Sequence, residues 1–288
     1  MVIQRSTIQL LRFPFSYFLM PVYWFALSFV NDIHWPRALL VFVLIHLFLY
    51  PSSNGYNSYM DRDTESIGGL ENPMQPTRQL FTATIIMDIT ASVVALLISP
   101  LFAAAFVFYI LCSRLYSYRG IRLKQYPFIG YLVVILNQGA VTFFMVYYAC
   151  SASFNLSMPW QAPVAAAFLI GGFYPITQVY QHEADAKDGV QTISMKLGKR
   201  GTFVFCAAMY AVAFALLFQY YNQANKMNMF LVLQLFFIPV IIFFITWLLQ
   251  VWKNNSAADF KHTMRMNWLA STCTSLAFIT LLILHQIG

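Results

Sequence analysis

Long apolar stretches recur along almost the whole chain, and they constrain its fold more than any other feature. Each is about as long as a membrane-spanning helix, which needs about 20 mostly apolar residues. The nine stretches cover residues 14–31, 37–56, 80–98, 100–117, 127–149, 162–182, 201–222, 228–252 and 265–286. Inside a bilayer a helix satisfies its own backbone hydrogen bonds, which an extended segment cannot do. We therefore predict an all-α fold, a polytopic membrane helical bundle of about nine transmembrane helices.

Charged residues are scarce, and their scarcity limits the classes of protein to which the chain can belong. Of its 288 residues, 60% are hydrophobic and only 9% are charged, whereas soluble domains average about 25% charged residues. This composition excludes a soluble enzyme, a disordered chain and a secreted disulfide scaffold. The net charge of +7 comes from basic residues spread over short loops. We expect no nucleic-acid partner, because nucleic-acid binding needs a concentrated basic surface.

The distribution of Lys and Arg predicts how the helices cross the membrane. With the N-terminus in the cytoplasm, fifteen of the 17 basic residues fall in cytoplasmic segments, and only Arg37 and Lys226 fall outside. Loops that stay in the cytoplasm carry an excess of Lys and Arg. We therefore expect an integral, multi-pass protein of a bacterial inner membrane, with its N-terminus in the cytoplasm.

Seven of the ten acidic residues lie in two short windows, from Asp61 to Glu71 and from Glu183 to Asp188. Acidic groups are costly at a membrane and mark candidate sites. In the first window, a helix that continues beyond the second span would place Asn57, Asp61 and Glu65 on one face. Acidic side chains at that spacing repel each other. A hard cation such as Mg²⁺, which prefers oxygen ligands, would remove the repulsion.

The second window repeats the spacing of the first. Gln181 and Asp185 are an amide and a carboxylate four residues apart at the end of a predicted helix, as are Asn57 and Asp61 in the first window. Each window alone could be an ordinary loop whose acids balance nearby Lys and Arg. Equal spacing on the same predicted side instead favours two halves of one metal site, in a central cavity that opens to the cytoplasmic side.

Basic residues follow both windows on the same predicted side and indicate an anionic ligand. They are Arg78 after the first window, Arg122 and Lys124 after the fourth span, and Lys196 after the second window. Guanidinium and ammonium groups bind phosphate oxygens directly, whereas carboxylates bind the same phosphates only through a metal ion. Acids and bases at one mouth therefore predict a metal-bridged diphosphate.

The two windows resemble the aspartate-rich motifs of the UbiA superfamily of intramembrane prenyltransferases. The run Asn57-x-x-x-Asp61-x-x-x-Glu65 is similar to the first motif, with Glu in place of the usual last Asp. The run beginning Gln181-x-x-x-Asp185 is similar to the second motif, with Gln in place of its usual first residue. The segment 116–127 resembles the family's loop after helix four, so the resemblance extends over nearly the whole chain.

The resemblance implies a reaction and roles for individual residues. The reaction is Mg²⁺-dependent transfer of a prenyl group from a polyprenyl diphosphate to a lipophilic or aromatic acceptor, within membrane lipid and at active-site loops in the cytoplasm. The implied metal ligands are Asn57, Asp61, Glu65, Gln181, Asp185 and Asp188. The implied diphosphate-binding residues are Arg78, Arg122, Lys124 and Lys196. The implied catalytic residues are Asp61, Asp185, Arg78, Lys124 and Tyr116.

The family resemblance also suggests how the chain is organised. We expect a single transmembrane prenyltransferase-like domain, residues 1–288, with two pseudo-similar halves at roughly 14–126 and 127–288. An aromatic quinone or pigment precursor is the expected acceptor, ahead of a glycerol-phosphate lipid. The sequence leaves the prenyl chain length and the oligomeric state open.

Two other functions compete with prenyl transfer to an acceptor. A UbiA-type membrane terpene cyclase would ionise the same diphosphate and fold the cation onto its own alkenes. A transporter would carry acids deep in several spans, whereas here they crowd one mouth. Asp88, inside the third span, is either part of a site or a carboxyl packed between helices. Asn137 and Gln138 are either buried polar contacts or part of an acceptor pocket.

Overall fold

The computed structural model describes residues 3–287, so the first two residues and the last one of the predicted domain lie outside it. Within this range the regular structure is helical. In chain order the helical segments are α1 (Arg5–Leu27), α2 (Trp35–Asp61), α3 (Arg78–Ile98), α4 (Pro100–Ser117), α5 (Pro127–Cys150), α6 (Gln161–Phe173), α7 (His182–Lys187), α8 (Ile193–Gln223), α9 (Met227–Lys253) and α10 (Phe260–Ile287). All except α6 and α7 are long and apolar enough to cross a membrane. The predicted all-α membrane bundle is confirmed.

The sixth predicted span, residues 162–182, is interrupted. Helix α6 has 13 residues, and a short 3₁₀ helix, Pro175–Gln178, follows it. Proline lacks the N–H group that a helix interior needs, so Pro175 marks the end of α6. The chain then enters α7, a separate short helix that carries the second acidic window.

The helices pack in a closed ring around a central cavity. On one side α2, α3 and α4 pack against one another, and on the other side α8, α9 and α10 pack in sequence. Helix α1 packs against α5 and α10, and α6 packs between α5 and α8. Exposed apolar side chains such as Leu97 on α3 and Leu235 on α9 cover the outside of the ring, as a surface facing lipid requires.

Gly139 allows α5 and α6 to approach closely beside the cavity. It lies in a π-helical turn of α5, Ile135–Val141, and a β-carbon at this position would lie 2.5 Å from Cα of Ala167 in α6. Small residues at helix contacts give transmembrane helices their close packing. The same turn carries Asn137, which lines the cavity. The close contact therefore holds one wall of the cavity in position.

Asp88, the acid inside the third predicted span, forms an ion pair with Arg114. Its carboxylate accepts hydrogen bonds from Arg114 Nε at 2.9 Å and from Ser52 Oγ at 2.5 Å. The Arg114 guanidinium also donates to Ser52 Oγ at 2.9 Å and lies 4.0 Å from the ring centroid of Tyr56. These contacts join α2, α3 and α4, and Asp88 does not line the cavity. Of the two alternatives for Asp88, a site residue or a carboxyl packed between helices, the structure supports the second.

Removing one charge of this pair is expected to destabilise the bundle. Asp88→Leu leaves Arg114 as an unpaired charge between helices. Breaking a fully buried pair costs about 3–5 kcal/mol, and this partly buried pair should cost less, about 2–3 kcal/mol. The double variant Asp88→Leu/Arg114→Met should recover most of the loss, because it removes both charges and keeps apolar volume. The free energy of unfolding in mixed micelles measures both effects. Equal losses in the single and double variants would contradict a role for the charge pair.

Candidate active site

A cavity opens at one end of the bundle, between α1, α2, α4, α5 and the segment from α6 to α7. Its volume is about 200 Å³. Both acidic windows contribute to its lining, through Asp61 and Asp63 from the first and Asp185 and Asp188 from the second. The fold thus brings together carboxylates that are far apart in the sequence.

The first window reaches the cavity at the end of α2. Asn57 and Asp61 line the cavity from the last turns of this helix, and Asn57 Nδ2 donates a hydrogen bond of 2.9 Å to Ser117 Oγ. The helix ends at Asp61 because Arg62 adopts a left-handed conformation, with φ of 57°. The predicted continuation of this helix to Glu65 is therefore wrong.

Because α2 ends at Asp61, the acid of the following loop that reaches the cavity is not the predicted one. Glu65 is exposed and forms an ion pair with Lys187 Nζ at 2.8 Å, outside the cavity. Asp63, which sequence reasoning did not select, lines the cavity instead. Helical spacing points to Glu65, and only the turn at Arg62 brings Asp63 to the cavity.

Two basic residues of the loop after α4 contact Asp61. Lys124 lines the cavity, and its Nζ lies 2.5 Å from Asp61 Oδ2. Arg122 Nη2 lies 3.5 Å from Asp61 Oδ1, and the same guanidinium pairs with the carboxylate of Asp188 and donates to its backbone oxygen at 2.9 Å. Arg122 is buried and does not line the cavity. It therefore connects the acids of the two windows from behind.

The second window lines the opposite side of the mouth. Gln181 precedes α7 and donates a hydrogen bond of 3.3 Å from Nε2 to the backbone oxygen of Ser66, which ties the second window to the loop after the first. Asp185 lies within α7 and Asp188 directly follows this helix, and Gln181, Asp185 and Asp188 all line the cavity.

The mouth concentrates buried negative charge. Burial raises the pKa of Asp185 to about 7; among its neighbours Lys124 lowers this pKa, whereas Asp63 and Asp61 raise it further. Burial also raises the pKa of Asp63, and the charge on Asp61 adds to that rise. Carboxylates in such surroundings gain stability when a cation is bound beside them.

The donors at the mouth suit a hard cation that shares its ligands with a phosphate group. Asp61 Oδ1 is buried and accepts no hydrogen bond from any part of the chain that the structure describes. Across residues 3–287, no three His, Cys, Asp or Glu side chains are gathered closely enough to enclose an ion by themselves. Mg²⁺ is commonly held by one or two carboxylates plus water and substrate phosphates, so this set of oxygen donors fits Mg²⁺ bound together with a diphosphate.

Besides Arg122, two more basic residues of the sequence prediction do not line the cavity. Arg78 is exposed at the first residue of α3 and does not line the cavity. Lys196 is also exposed, and its Nζ lies 5.0 Å from the ring centroid of Phe128. The structure thus brings together Lys124 and the acids, but not Arg78 or Lys196.

Arg12 is a cavity residue that the sequence prediction assigned only to membrane topology. It lies at a break within α1, where its φ of 49° is left-handed, and its side chain is buried. The guanidinium lines the cavity and donates hydrogen bonds to the backbone oxygens of Gly68 at 3.2 Å and Asn54 at 3.3 Å. In the sequence, the one signal that could have indicated a cavity position is that Arg12 lies shortly before Pro14, at the start of an apolar stretch.

A chain of hydroxyl and amide groups lines the cavity next to the acids. The hydroxyl groups of Tyr116 and Tyr174 lie 2.5 Å apart, and Gln178 Nε2 donates to the Tyr174 hydroxyl at 2.8 Å. Asn137 and Gln138 line the cavity further along α5. A second cavity, mainly apolar, adjoins the first and shares Phe173 with it. Phe173 thus separates a cavity with polar groups beside the acids from a mainly apolar one.

Comparison with known proteins agrees with this architecture. Residues 18–270 match the model of the UbiA prenyltransferase family. The fold resembles that of a UbiA homologue from Archaeoglobus fulgidus bound to DMAPP and Mg²⁺, with a TM-score of 0.72 and 19% identity over 98% of this chain and 99% of that one. An apo UbiA homologue from Aeropyrum pernix K1 gives a TM-score of 0.71 and 16% identity over 95% and 98%.

A curated relative matches over a shorter length. It is a probable homogentisate phytyltransferase 2, chloroplastic, from Oryza sativa subsp. japonica, with 27% identity over 114 residues. The match covers 38% of this chain and 30% of the relative, so less than a third of that protein is represented. The family match, by contrast, spans most of the chain, and the helical ring has the same fold as the solved homologues. This protein belongs to the UbiA prenyltransferase family.

Proposed function

We propose that this protein transfers a prenyl group from a prenyl diphosphate to an aromatic acceptor in a Mg²⁺-dependent reaction. One observation carries the proposal: the acids of both windows and the ammonium group of Lys124 line the mouth of one cavity. Homologues of similar fold bound to DMAPP and Mg²⁺ or to GPP and Mg²⁺ support it. The phytyltransferase relative supports an aromatic acceptor.

The proposed metal ligands come from both sides of the mouth. Those that line the cavity are Asn57, Asp61, Asp63, Gln181, Asp185 and Asp188. When bound, Mg²⁺ would neutralise the diphosphate and act as a Lewis acid on its oxygens. Asp61 Oδ1, which accepts no hydrogen bond from any described residue, and the raised pKa of Asp185 support binding of a cation here. For Glu65, which lies outside the cavity, the role of metal ligand stays a prediction from the sequence.

The basic residues divide into those that would touch the diphosphate and those that hold the acids. Lys124 lines the cavity and would bind the diphosphate directly. Arg122 would act by holding Asp61 and Asp188 in place, because it contacts both from behind the cavity wall. The guanidinium of Arg12 adds positive charge to the mouth. The roles of Arg78 and Lys196 stay predictions.

The reaction starts when the bond between C1 of the prenyl group and the diphosphate oxygen breaks and the electron pair leaves with the diphosphate. Lys124 stabilises the negative charge that develops on this leaving group. The rings of Tyr116 and Tyr174 line the cavity beside the acids and can stabilise the allylic cation through their π-faces. A carbon of the acceptor ring then bonds to C1 and loses its proton to the released diphosphate, which restores the aromatic ring. The apolar cavity that shares Phe173 is the proposed space for the prenyl tail.

Product analysis tests this function directly. The purified protein would be incubated with Mg²⁺ and a panel of prenyl diphosphates, with and without a lipid extract of the source cells, and the products identified by mass spectrometry. We expect a prenylated acceptor only when the extract is present, and no product in EDTA. Cyclic hydrocarbon formed without an acceptor would indicate a terpene cyclase. If the protein released diphosphate from none of the donors, the proposal would be contradicted.

A further inference from the structure

Helix α7, which carries the second acidic window, depends on other segments for its position. It has only six residues, His182–Lys187, and helices shorter than about 12 residues are marginal without tertiary contacts. In the part of the chain that the structure describes, none of these six residues is buried, so apolar packing contributes little. The exposed ion pair between Lys187 and Glu65 also adds little, because solvent screens it. Polar contacts at the two ends of α7 therefore determine where Asp185 lies.

Different contacts hold the two ends of α7. Asp188, which directly follows the helix, forms an ion pair with the buried guanidinium of Arg122. At the other end, the hydrogen bond from Gln181 is long, at 3.3 Å. The next residue, His182, makes a shorter contact, because its Nε2 lies 2.8 Å from Ser194 Oγ at the start of α8. His182 is therefore the main polar contact at the start of α7.

A chain of hydrogen bonds continues from His182 into α8. Ser194 Oγ lies 3.0 Å from Thr202 Oγ1. The Thr202 hydroxyl donates to the backbone oxygens of Ser194 at 3.1 Å and Gly198 at 2.8 Å. Ser194 and Thr202 are both fully buried, and Gly198, with φ of 68°, is a break within α8. The chain therefore joins α7 to both parts of this long membrane helix.

The backbone oxygens at the end of this chain fix the direction of each hydrogen bond. A hydroxyl group has one hydrogen, and a backbone oxygen can only accept. The hydrogen of Thr202 is directed to the backbone oxygens, so Ser194 donates its own hydrogen to Thr202. Ser194 Oγ then has no hydrogen left for His182 and can only accept. The contact of 2.8 Å therefore requires a proton on His182 Nε2.

We propose that His182 is a positioning residue of the metal site: its hydrogen bond to Ser194 fixes the start of α7 and thereby places the carboxylate of Asp185 at the mouth. Asp185 lies three residues after His182, within one turn of the helix, so a shift of His182 moves the carboxylate as well. The described residues that line the cavity do not include His182. It acts through the helix, as partners that orient metal ligands do without touching the ion. This role rests on the proposed function, since Asp185 is one of its metal ligands.

Binding of Mn²⁺ in the presence of inorganic pyrophosphate tests this role without turnover, because electron paramagnetic resonance measures the free ion. His182→Phe keeps a flat ring and removes the donor. It should weaken Mn²⁺ binding roughly tenfold, the smaller effect usual for residues that orient metal ligands. His182→Gln retains an N–H donor at a similar distance from the backbone and should recover most of the affinity. A loss of fold alone would not be recovered in this way.

A double-mutant cycle tests the hydrogen-bond chain itself. Ser194→Ala removes the acceptor of the same hydrogen bond and should weaken Mn²⁺ binding by a similar factor. The variant His182→Phe/Ser194→Ala should lose no more affinity than Ser194→Ala alone, because residues in contact within one network are not additive. Additive losses, wild-type affinity in His182→Phe, or a His182→Gln variant as weak as His182→Phe would overturn the proposal.

His262→Phe is the matched control, because His262 is another histidine with a hydrogen-bonded ring, to Asp259 at 2.9 Å, and it does not line the cavity. This variant should bind Mn²⁺ as tightly as the wild type, and an equal loss would overturn a specific role for His182. The ¹⁵N NMR spectrum of protein with labelled histidines adds a direct signature. The signal that is absent from His182→Gln should show a proton on Nε2, and an unprotonated Nε2 would overturn the chain.

Diphosphate release from geranyl diphosphate separates positioning from direct metal binding. At saturating Mg²⁺, His182→Phe should regain most of the wild-type rate, because the carboxylate of Asp185 is still present, whereas Asp185→Asn should not. A His182→Phe variant as slow as Asp185→Asn would overturn the positioning role. If the wild-type protein bound no Mn²⁺ and released no diphosphate, the proposed function would fall together with this role. Normal binding and turnover in the wild type, with unchanged values in His182→Phe, would overturn the role of His182 alone.

Discussion

Asp185→Asn is expected to lower the rate of diphosphate release from geranyl diphosphate by roughly 10²–10³-fold at saturating Mg²⁺. Mg²⁺ bound at the diphosphate would contribute several kcal/mol of transition-state stabilisation. Part of that contribution would be lost with one of its ligands, and each 1.36 kcal/mol is a factor of ten in rate. Asp61→Asn should have a similar effect through the first window. Both substitutions keep the size of the side chain, and release of diphosphate by the purified variants measures the loss. Near wild-type rates in either variant would contradict a metal site shared by the two windows.

The folding of the Asp185→Asn variant provides the control. A carboxyl whose pKa is raised in the folded protein binds protons more tightly there than in the unfolded chain, so stability falls as pH rises between the two pKa values. Burial raises the pKa of Asp185 from 3.8 to about 7. In EDTA at pH 8 the variant should therefore have a Tm equal to or above that of the wild type, and the difference should vanish near pH 4. A lower Tm at pH 8 would indicate that Asp185 supports the fold instead.

Lys124→Met is expected to raise KM for the prenyl diphosphate at least tenfold and to lower kcat by roughly 10²-fold, the usual loss when one charge-stabilising donor is removed. Lys124 lines the cavity with its Nζ 2.5 Å from Asp61 Oδ2, where it can contact both the acid and the leaving group. Lys124→Arg keeps the charge with a different geometry and should restore part of the activity. Steady-state kinetics with varied donor concentration measures both constants.

Lys253→Met is the matched control for loss of a lysine, because Lys253 is exposed at the end of α9 and does not line the cavity. Its kinetic constants should equal those of the wild type. Inhibition by inorganic pyrophosphate adds a binding measurement that does not depend on turnover. An inhibition constant in Lys124→Met equal to that of the wild type would remove Lys124 from the diphosphate site.

Local sequence patterns predicted the helices well and their ends less well. Hydropathy identified α4 at residues 100–117, because a span is defined by its own apolar residues and by Pro100 at its start. The same patterns extended α2 to Glu65, although the helix ends at Asp61. No glycine or proline marks that end, since the left-handed residue is Arg62. The choice between Glu65 and Asp63 as a cavity residue depends on this one turn.

Contacts between distant segments were beyond the reach of sequence patterns. Arg114 and Asp88 lie on neighbouring helices, and their ion pair forms because the two helices pack with these residues at the same depth. Arg12 contacts the backbone of Gly68 and Asn54 only through a break in α1. Asp88, Arg114 and Arg12 each carry a charge that is visible in the sequence. Their contact partners are visible only in the tertiary structure.

The sequence by itself determined the class of the protein and the types of donor at its site. Long apolar stretches with few charges leave a membrane bundle as the stable fold, because a helix is the element that satisfies its backbone within lipid, and two acidic windows beside basic residues predict a metal-bridged anion. Only the tertiary structure decided which side chains share the cavity: Asp63 lines it, and Glu65 and Arg78 do not. The physical reason is that hydropathy belongs to each segment separately, whereas a cavity is formed by helix ends and packing angles that involve the whole chain.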